Sequence, residues 1–249
     1  MANFDQNRMQ TGVGAQDSAI DQGLRSYMLS VYNYMAGGLA ITGVVAWLAF
    51  QAAVIDTNGV LSLSSVGQAL YASPLKWVVM LAPLGLVFFL SARISKMSIA
   101  AAQISFWSFA GLMGLSLSSV FLIYTGASIT QTFFVTAATF GSLSLYGYTT
   151  KRDLTAMGSF LFMGVIGLII ASLVNIFLQS SALQFAVSVL GVLIFAGLTA
   201  YDTQRIKSMY FEGDSLATAS KKAIMGALAL YLDFINMFMF LLQFLGDRR

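Results

Sequence analysis

Seven long apolar stretches constrain this chain more than any other feature of its sequence. They lie at about 28–50, 75–92, 101–124, 129–148, 157–178, 183–202 and 223–245, each close to the ~20 residues that a helix needs to cross ~30 Å of hydrocarbon. Lipid offers backbone N–H and C=O groups no partner, so a spanning segment must satisfy them as a helix or a closed barrel. The alternating pattern of barrel strands is missing. The expected fold is an all-α polytopic membrane protein with seven transmembrane helices. Composition agrees: 58% of the 249 residues are hydrophobic, 9% are charged and the mean hydropathy is +0.79, whereas a soluble domain is about one quarter charged.

Zero counts narrow the chemistry. With no His and no Cys, the chain can build no His- or Cys-ligated zinc, haem or iron–sulfur site, no disulfide, no Cys–His or Ser–His nucleophile and no HExxH helix. Gly114-Leu-Ser-Leu-Ser118 has no His to serve it and is not a serine-hydrolase elbow. No Lys lies mid-membrane to form a retinal Schiff base, since Lys76 sits at a helix edge. We therefore expect no enzyme, no resident cofactor and no nucleic-acid partner. Any pH sensing inside the membrane falls to a carboxylate, because the usual physiological-pH switch is absent.

Residues 1–26 are polar, with two Arg against three Asp, and read as a short, mobile cytoplasmic tail. They are no secretory signal, because the apolar segment that follows is too late and too long. Residues 27–249 read as one seven-helix domain with short connections, apart from 51–74 and 203–222. Lys and Arg alternate along these connections. Arg8 and Arg25 precede the first helix, Arg93 and Lys96 follow the second, Lys151 and Arg152 the fourth, and Arg205, Lys207, Lys221 and Lys222 flank the sixth loop. By the positive-inside rule these places, and with them the N-terminus, are cytoplasmic. The C-terminus breaks the pattern. Seven full crossings leave Arg248 and Arg249 outside, while a last segment that dips in and returns leaves them in the cytoplasm; the length of 223–245 favours the crossing. Small residues at helical spacing, such as Ala110, Gly114 and Ser118, allow close helix packing. The 13 Met and 20 Phe read as core and lipid-facing filling rather than as a ligand groove.

Few charges remain once loops and tails are set aside. Asp233, in Leu230-Tyr-Leu-Asp-Phe-Ile-Asn-Met-Phe238, is the one acidic residue well inside an apolar stretch. A charge at mid-helix costs about 2.5–3.5 kcal/mol on insertion scales, so it is seldom present without a partner or a task. If its helix starts near Ala223, Asp233 lies ten residues in, roughly 15 Å deep. Asp202 sits nearer the edge, at the cytoplasmic end of the preceding helix, and Arg93 ends the second helix. All three belong to the cytoplasmic half, so two carboxylates and a guanidinium are within geometric reach of one cluster. Simpler readings stand beside this one. Asp202 is equally an interfacial residue paired with Arg205 one turn on, Asp233 a neutral carboxyl bonded to a neighbouring helix, and Arg93 a positive-inside anchor. Asn175 and Asn236 are more often interhelical glue than ligands.

These residues carry a resemblance. The run Gly197-Leu-Thr-Ala-Tyr-Asp-Thr-Gln-Arg-Ile206 resembles the signature of the Bax inhibitor-1 (transmembrane Bax inhibitor motif) family. Ala227-Leu-Ala-Leu-Tyr-Leu-Asp-Phe-Ile-Asn236 is similar to that family's C-terminal helix and Gly147-Tyr-Thr-Thr-Lys-Arg-Asp-Leu154 to its central turn, and the tail resembles the bacterial members. The resemblance implies a C-terminal helix held centrally by the other six and a pH-dependent calcium leak across the inner membrane. It implies a hydrogen-bonded Asp202–Asp233 pair as gate and weak calcium site, with Arg93 as the latch that competes for one carboxylate. Asn236 and Arg205 are auxiliary candidates. Lipid, calcium and protons are then the partners. The same resemblance implies an alternative, an interaction protein that modulates a membrane-anchored ATP-dependent protease without transport.

Two carboxylates in hydrogen-bond reach in a poorly solvated site cannot both ionise cheaply and titrate as a pair. When ionised, the pair draws either Arg93 or a divalent cation. Calcium takes six to eight oxygens, and two Asp with Asn236 and water fall short, so a site of transit rather than storage is expected.

Overall fold

The computed structural model describes residues 2–57 and 60–249, with side chains described for 22–55 and 62–249. Up to residue 21, the tail expected at 1–26 lies outside the described side chains. Among the described residues seven long helices follow the apolar stretches: α1 (Ala2–Ala53), α2 (Leu75–Arg93), α3 (Ile99–Leu117), α4 (Gly126–Thr149), α5 (Thr155–Leu178), α6 (Ser181–Ser208) and α7 (Leu216–Leu245). Their starts are written locally. Ser98, Thr125, Ser180 and Ser215 stand just ahead of α3, α4, α6 and α7, and each accepts a hydrogen bond from a backbone N–H of the first turn, which satisfies a donor the helix leaves unpaired. Six of the seven are long and apolar enough to cross a membrane; α4 is not among them. It has the length, but Ser128, Thr130, Thr132, Thr136, Thr139, Ser142 and Ser144 dilute its hydropathy.

The fold is thus the expected all-α polytopic membrane fold with one small addition. In the connection 51–74, β1 (Val54–Thr57) and β2 (Val60–Leu63) form an antiparallel hairpin, with Val54 opposite Leu63 and Ile55 opposite Ser62.

Helix α7 is central, although the expected ring of six divides into an inner and an outer set. It packs against α6, α1, α4 and α3, while α2 leans chiefly on α3 and α5 on α6. Leu230, Tyr231, Met237 and Leu242 are fully buried along it. Phe106 and Phe109 meet the Tyr231 ring edge-on at 6.4 and 5.1 Å between centroids, a favoured aromatic geometry. The Tyr231 hydroxyl is satisfied by Thr42 of α1 at 2.7 Å. On the outer faces Phe88, Phe160 and Phe177 are exposed, as lipid-facing residues should be, since lipid tails are as apolar as the side chains themselves.

The bundle has two chemically distinct ends. At one, Lys221 donates to the Ser95 carbonyl and Lys222 to that of Met209, so the connections after α2 and α6 meet the start of α7. At the other, Thr125 N–H donates to the Asp247 carbonyl and Arg249 N–H to that of Ile123, a short bridge that fixes the C-terminal residues beside the start of α4. Arg249 also lies over the Phe50 ring near the end of α1. Helix α7 therefore runs from one end of the bundle to the other rather than dipping and returning.

Candidate functional site

Four successive residues of α6 tie it to its surroundings in four ways. Tyr201 lies with its ring against Gly158 of α5. Asp202, whose side chain is only 15% exposed, meets Arg205 at 3.7 Å. Thr203 is fully buried; its hydroxyl donates to the Thr199 carbonyl, which leaves it to accept from Ser144 at 2.9 Å while Ser144 accepts from Tyr32 at 2.6 Å. Each hydroxyl has one proton to give, so the direction of this relay from α1 through α4 to α6 is fixed. Gln204 closes the turn between α4 and α5: its carbonyl accepts from Leu154 N–H at 2.9 Å and its amide donates to the Arg152 carbonyl at 2.7 Å. Just above, Gly147 lies so close to the Ala200 backbone that any side chain would collide. The backbone that presents Asp202 is therefore clamped on both sides.

Asp233 arrives from α7. The helix begins at Leu216 rather than near Ala223, so Asp233 stands seventeen residues in, about 25 Å along the axis. The start of α7 projects beyond the end of α6, where Lys222 reaches the Met209 carbonyl and Gly226 lies against Ile206, so Asp233, seven residues past Gly226, is only about three residues deeper than Asp202, four residues before Ile206. The two carboxyls lie within hydrogen-bond reach of each other and face one cavity of about 640 Å³ between α5, α6 and α7, which Ser159, Tyr201, Arg205 and Asn236 also line. Asp233 is 4% exposed, and its Oδ2 has no donor among the described residues. Two carboxylates offer acceptors only, so a hydrogen bond between them exists only when one carries a proton.

Of the sequence candidates, Asp202, Asp233, Asn236 and Arg205 share this cavity. Asn236 donates its amide N–H to the Leu232 carbonyl at 2.8 Å, which leaves its side-chain oxygen as its contribution. Arg93 is not brought there. It is exposed at the end of α2 and makes no ion pair among the described residues; Arg205 occupies the cationic place beside Asp202. Two carboxyls and one amide oxygen are few donors for calcium, and among the described residues no three His, Cys, Asp or Glu gather as a metal cluster. In the turn below, the hydroxyl and backbone N–H of Thr155 both donate to the exposed Asp153, holding its carboxyl below the usual carboxylate range. Asp153 is thus ionised throughout the neutral range and is no proton sensor there.

The relay Tyr32–Ser144–Thr203 and the Gln204 clamp escaped sequence reasoning. Their one signal is the density of hydroxyls in α4, whose partners become visible only when α1 and α6 are placed beside it.

This arrangement can be set against known proteins. The model of the family described as "Inhibitor of apoptosis-promoting Bax1" matches residues 24–249. The chain belongs to the Bax inhibitor-1 family. It is 49% identical over 235 residues to an uncharacterized protein of Rickettsia prowazekii, covering 94% of this chain and 95% of that protein. It is 47% identical over 233 residues to the inner membrane protein YbhL of Escherichia coli, covering 91% and 94% respectively. An uncharacterized membrane protein of Streptococcus pyogenes is 33% identical over 226 residues, covering 91% and 94%. All seven helices of this Bax inhibitor-1 family member, from Leu24 onward, thus fall within the family's extent.

Proposed function

We propose that this multi-pass membrane protein is a pH-responsive calcium leak of the bacterial inner membrane, gated by the Asp202–Asp233 pair. One observation carries the reading: two carboxyls from different helices share one cavity whose one cation is Arg205. The name of the Escherichia coli relative supports the inner membrane as the location. The gathering of basic residues at the end where α2, α4 and α6 finish supports a cytoplasmic N-terminus.

The mechanism follows from charge. With a proton between them, the carboxyls bind each other and carry one negative charge. Once the proton leaves, the doubly negative pair attracts the nearest cation. Arg205 holds Asp202, and Arg93 acts as the latch when the end of α2 moves toward the pair. A divalent cation competes for the same oxygens. Protonation weakens the arginine latch and opens the path, whereas a formed ion pair closes it.

Calcium flux into liposomes holding the purified chain, measured across pH, tests this. Asp202→Asn and Asp233→Asn should each abolish the pH response, because neither leaves a pair that titrates. Unchanged flux and pH response in both variants would falsify the gate. Absence of flux in the wild type, with co-purification of a membrane-anchored ATP-dependent protease, favours the interaction protein instead.

A further inference from the structure

The aspartate cavity has a counterpart in the other half of the membrane. Helices α5 and α7 both pack on α6, and a second pocket of about 510 Å³ lies among the same three helices. Ser172, Asn175, Gln179, Gln184 and Gln243 line it. It has no charged residue, so its polar lining consists of side-chain amides and a hydroxyl. Some of these groups are engaged: the Asn175 carbonyl accepts from Ser180 N–H at 3.0 Å and that of Gln243 from Ser188 at 3.4 Å. Their geometry is also held by the chain. Gln179, which ends α5, has a positive φ of 49°, a conformation most side chains avoid.

Two aromatic rings link the linings of the two pockets. Phe195 lines the aspartate cavity and Phe240 the amide pocket, and their rings stack at 5.9 Å with 25° between planes. Phe240 lies so close over Gly191 that a Cβ there would fall 2.5 Å from its Cγ. The glycine is what lets the ring lie flat against α6. Amide oxygens replace part of a cation's water without trapping it, and a short apolar constriction blocks an ion by excluding water.

The geometry points to one cation path along the α5–α6–α7 cleft, with the amide pocket as its second mouth and the Phe195–Phe240 stack as a hydrophobic plug between that mouth and the aspartates. This rests on the leak proposed above and adds a second barrier, in series with the carboxyl pair. The aspartates answer to protons; the plug answers to the position of α7 against α6.

Two measurements test the path. Phe240→Ala in liposomes should raise calcium flux several-fold at a pH where the wild type is slow, and Phe240→Leu should raise it less. Independently, the chain contains no cysteine, so single cysteines report water access directly. A membrane-impermeant maleimide should label Gln243→Cys only from the side of the C-terminal bridge and Ser159→Cys only from the basic side. Adding Phe240→Ala should let a small cationic methanethiosulfonate, applied at the Gln243 side, reach Ser159→Cys. Failure of Gln243→Cys to react from either side overturns the plug. So does wild-type flux in Phe240→Ala while Asp202→Asn loses its pH response. If the wild type carries no calcium but both cysteines label from opposite sides and Phe240→Ala connects them, the leak fails and the plugged cleft stands.

Discussion

Helices α5 and α7 are both strongly apolar, yet they live in different solvents. The most apolar window of α5 has mean hydropathy 2.5 and is 11% buried within the protein; that of α7 has 1.8 and is 67% buried. The more hydrophobic helix is the one left to lipid. Water alone would reverse this order, since apolar area is then what drives burial. In a bilayer apolar area is neutral between lipid and protein, so packing and polar contacts choose the centre. Helix α7 brings Tyr231 and Asp233 to partners on α1 and α6, whereas α5 presents Phe160, Ile169 and Phe177 outward.

The sharpest way to break this contrast is to remove packing at the centre. Leu230→Ala, at a site that is fully buried, should lower stability by about 2–5 kcal/mol, read as a large fall in thermal midpoint in detergent. A small shift there would place α7 at the periphery. Asp233→Asn comes next: flux should lose its dependence on pH, with a change of about tenfold between acidic and neutral conditions disappearing. Thr203→Val keeps the shape but removes the acceptor for Ser144, and should cost about 1 kcal/mol; a loss no greater than for Thr149→Val, whose hydroxyl bonds only within its own helix, would make the relay decorative. Asp153→Asn should lower neutral stability slightly and leave the pH response of flux unchanged. Its carboxyl is held below the ordinary value of 3.8, so the stability it contributes is present above that value and lost only as pH falls through its lowered pKa. A displaced pH midpoint of flux in this variant would move the sensor from the cavity to the turn. Smallest of all, Phe177→Leu, 87% exposed on α5, should shift stability by less than about 0.5 kcal/mol.

Much of the fold was legible because hydropathy and backbone satisfaction are local. The apolar stretches become the helices, and Asp233 stands out because its neighbours make a charge there expensive. The hairpin at Val54–Leu63 was not legible, since two strands of four residues inside a loop leave no periodic signal. Helix length shows the limit of hydropathy in another way. Polar Ser215–Lys222 hides the first turns of α7, and Asp233 was therefore set too near the helix start. Arg205 at i+3 from Asp202 was visible as a partner in the sequence. Arg93 was a candidate by its place in the cytoplasmic half and took its latch role from the resemblance, yet it stands at the exposed end of α2, and Arg205 is the arginine beside Asp202. The amide pocket draws one or two residues from each of three helices, so no segment read by itself reveals it.

The central position of α7 also has a meaning in time. Six helices leave the ribosome before it, and α1, α3, α4 and α6 enter the bilayer with the faces that will receive α7 still bare. Those six must stay loosely associated, their hydroxyls and small residues waiting, until α7 is threaded among them. Asp202 spends that interval without Asp233, and the bridge between Asp247 and Thr125 closes only when synthesis has passed both. A closer early contact between α1 and α6, which touch little in the folded protein, would occupy the slot of α7.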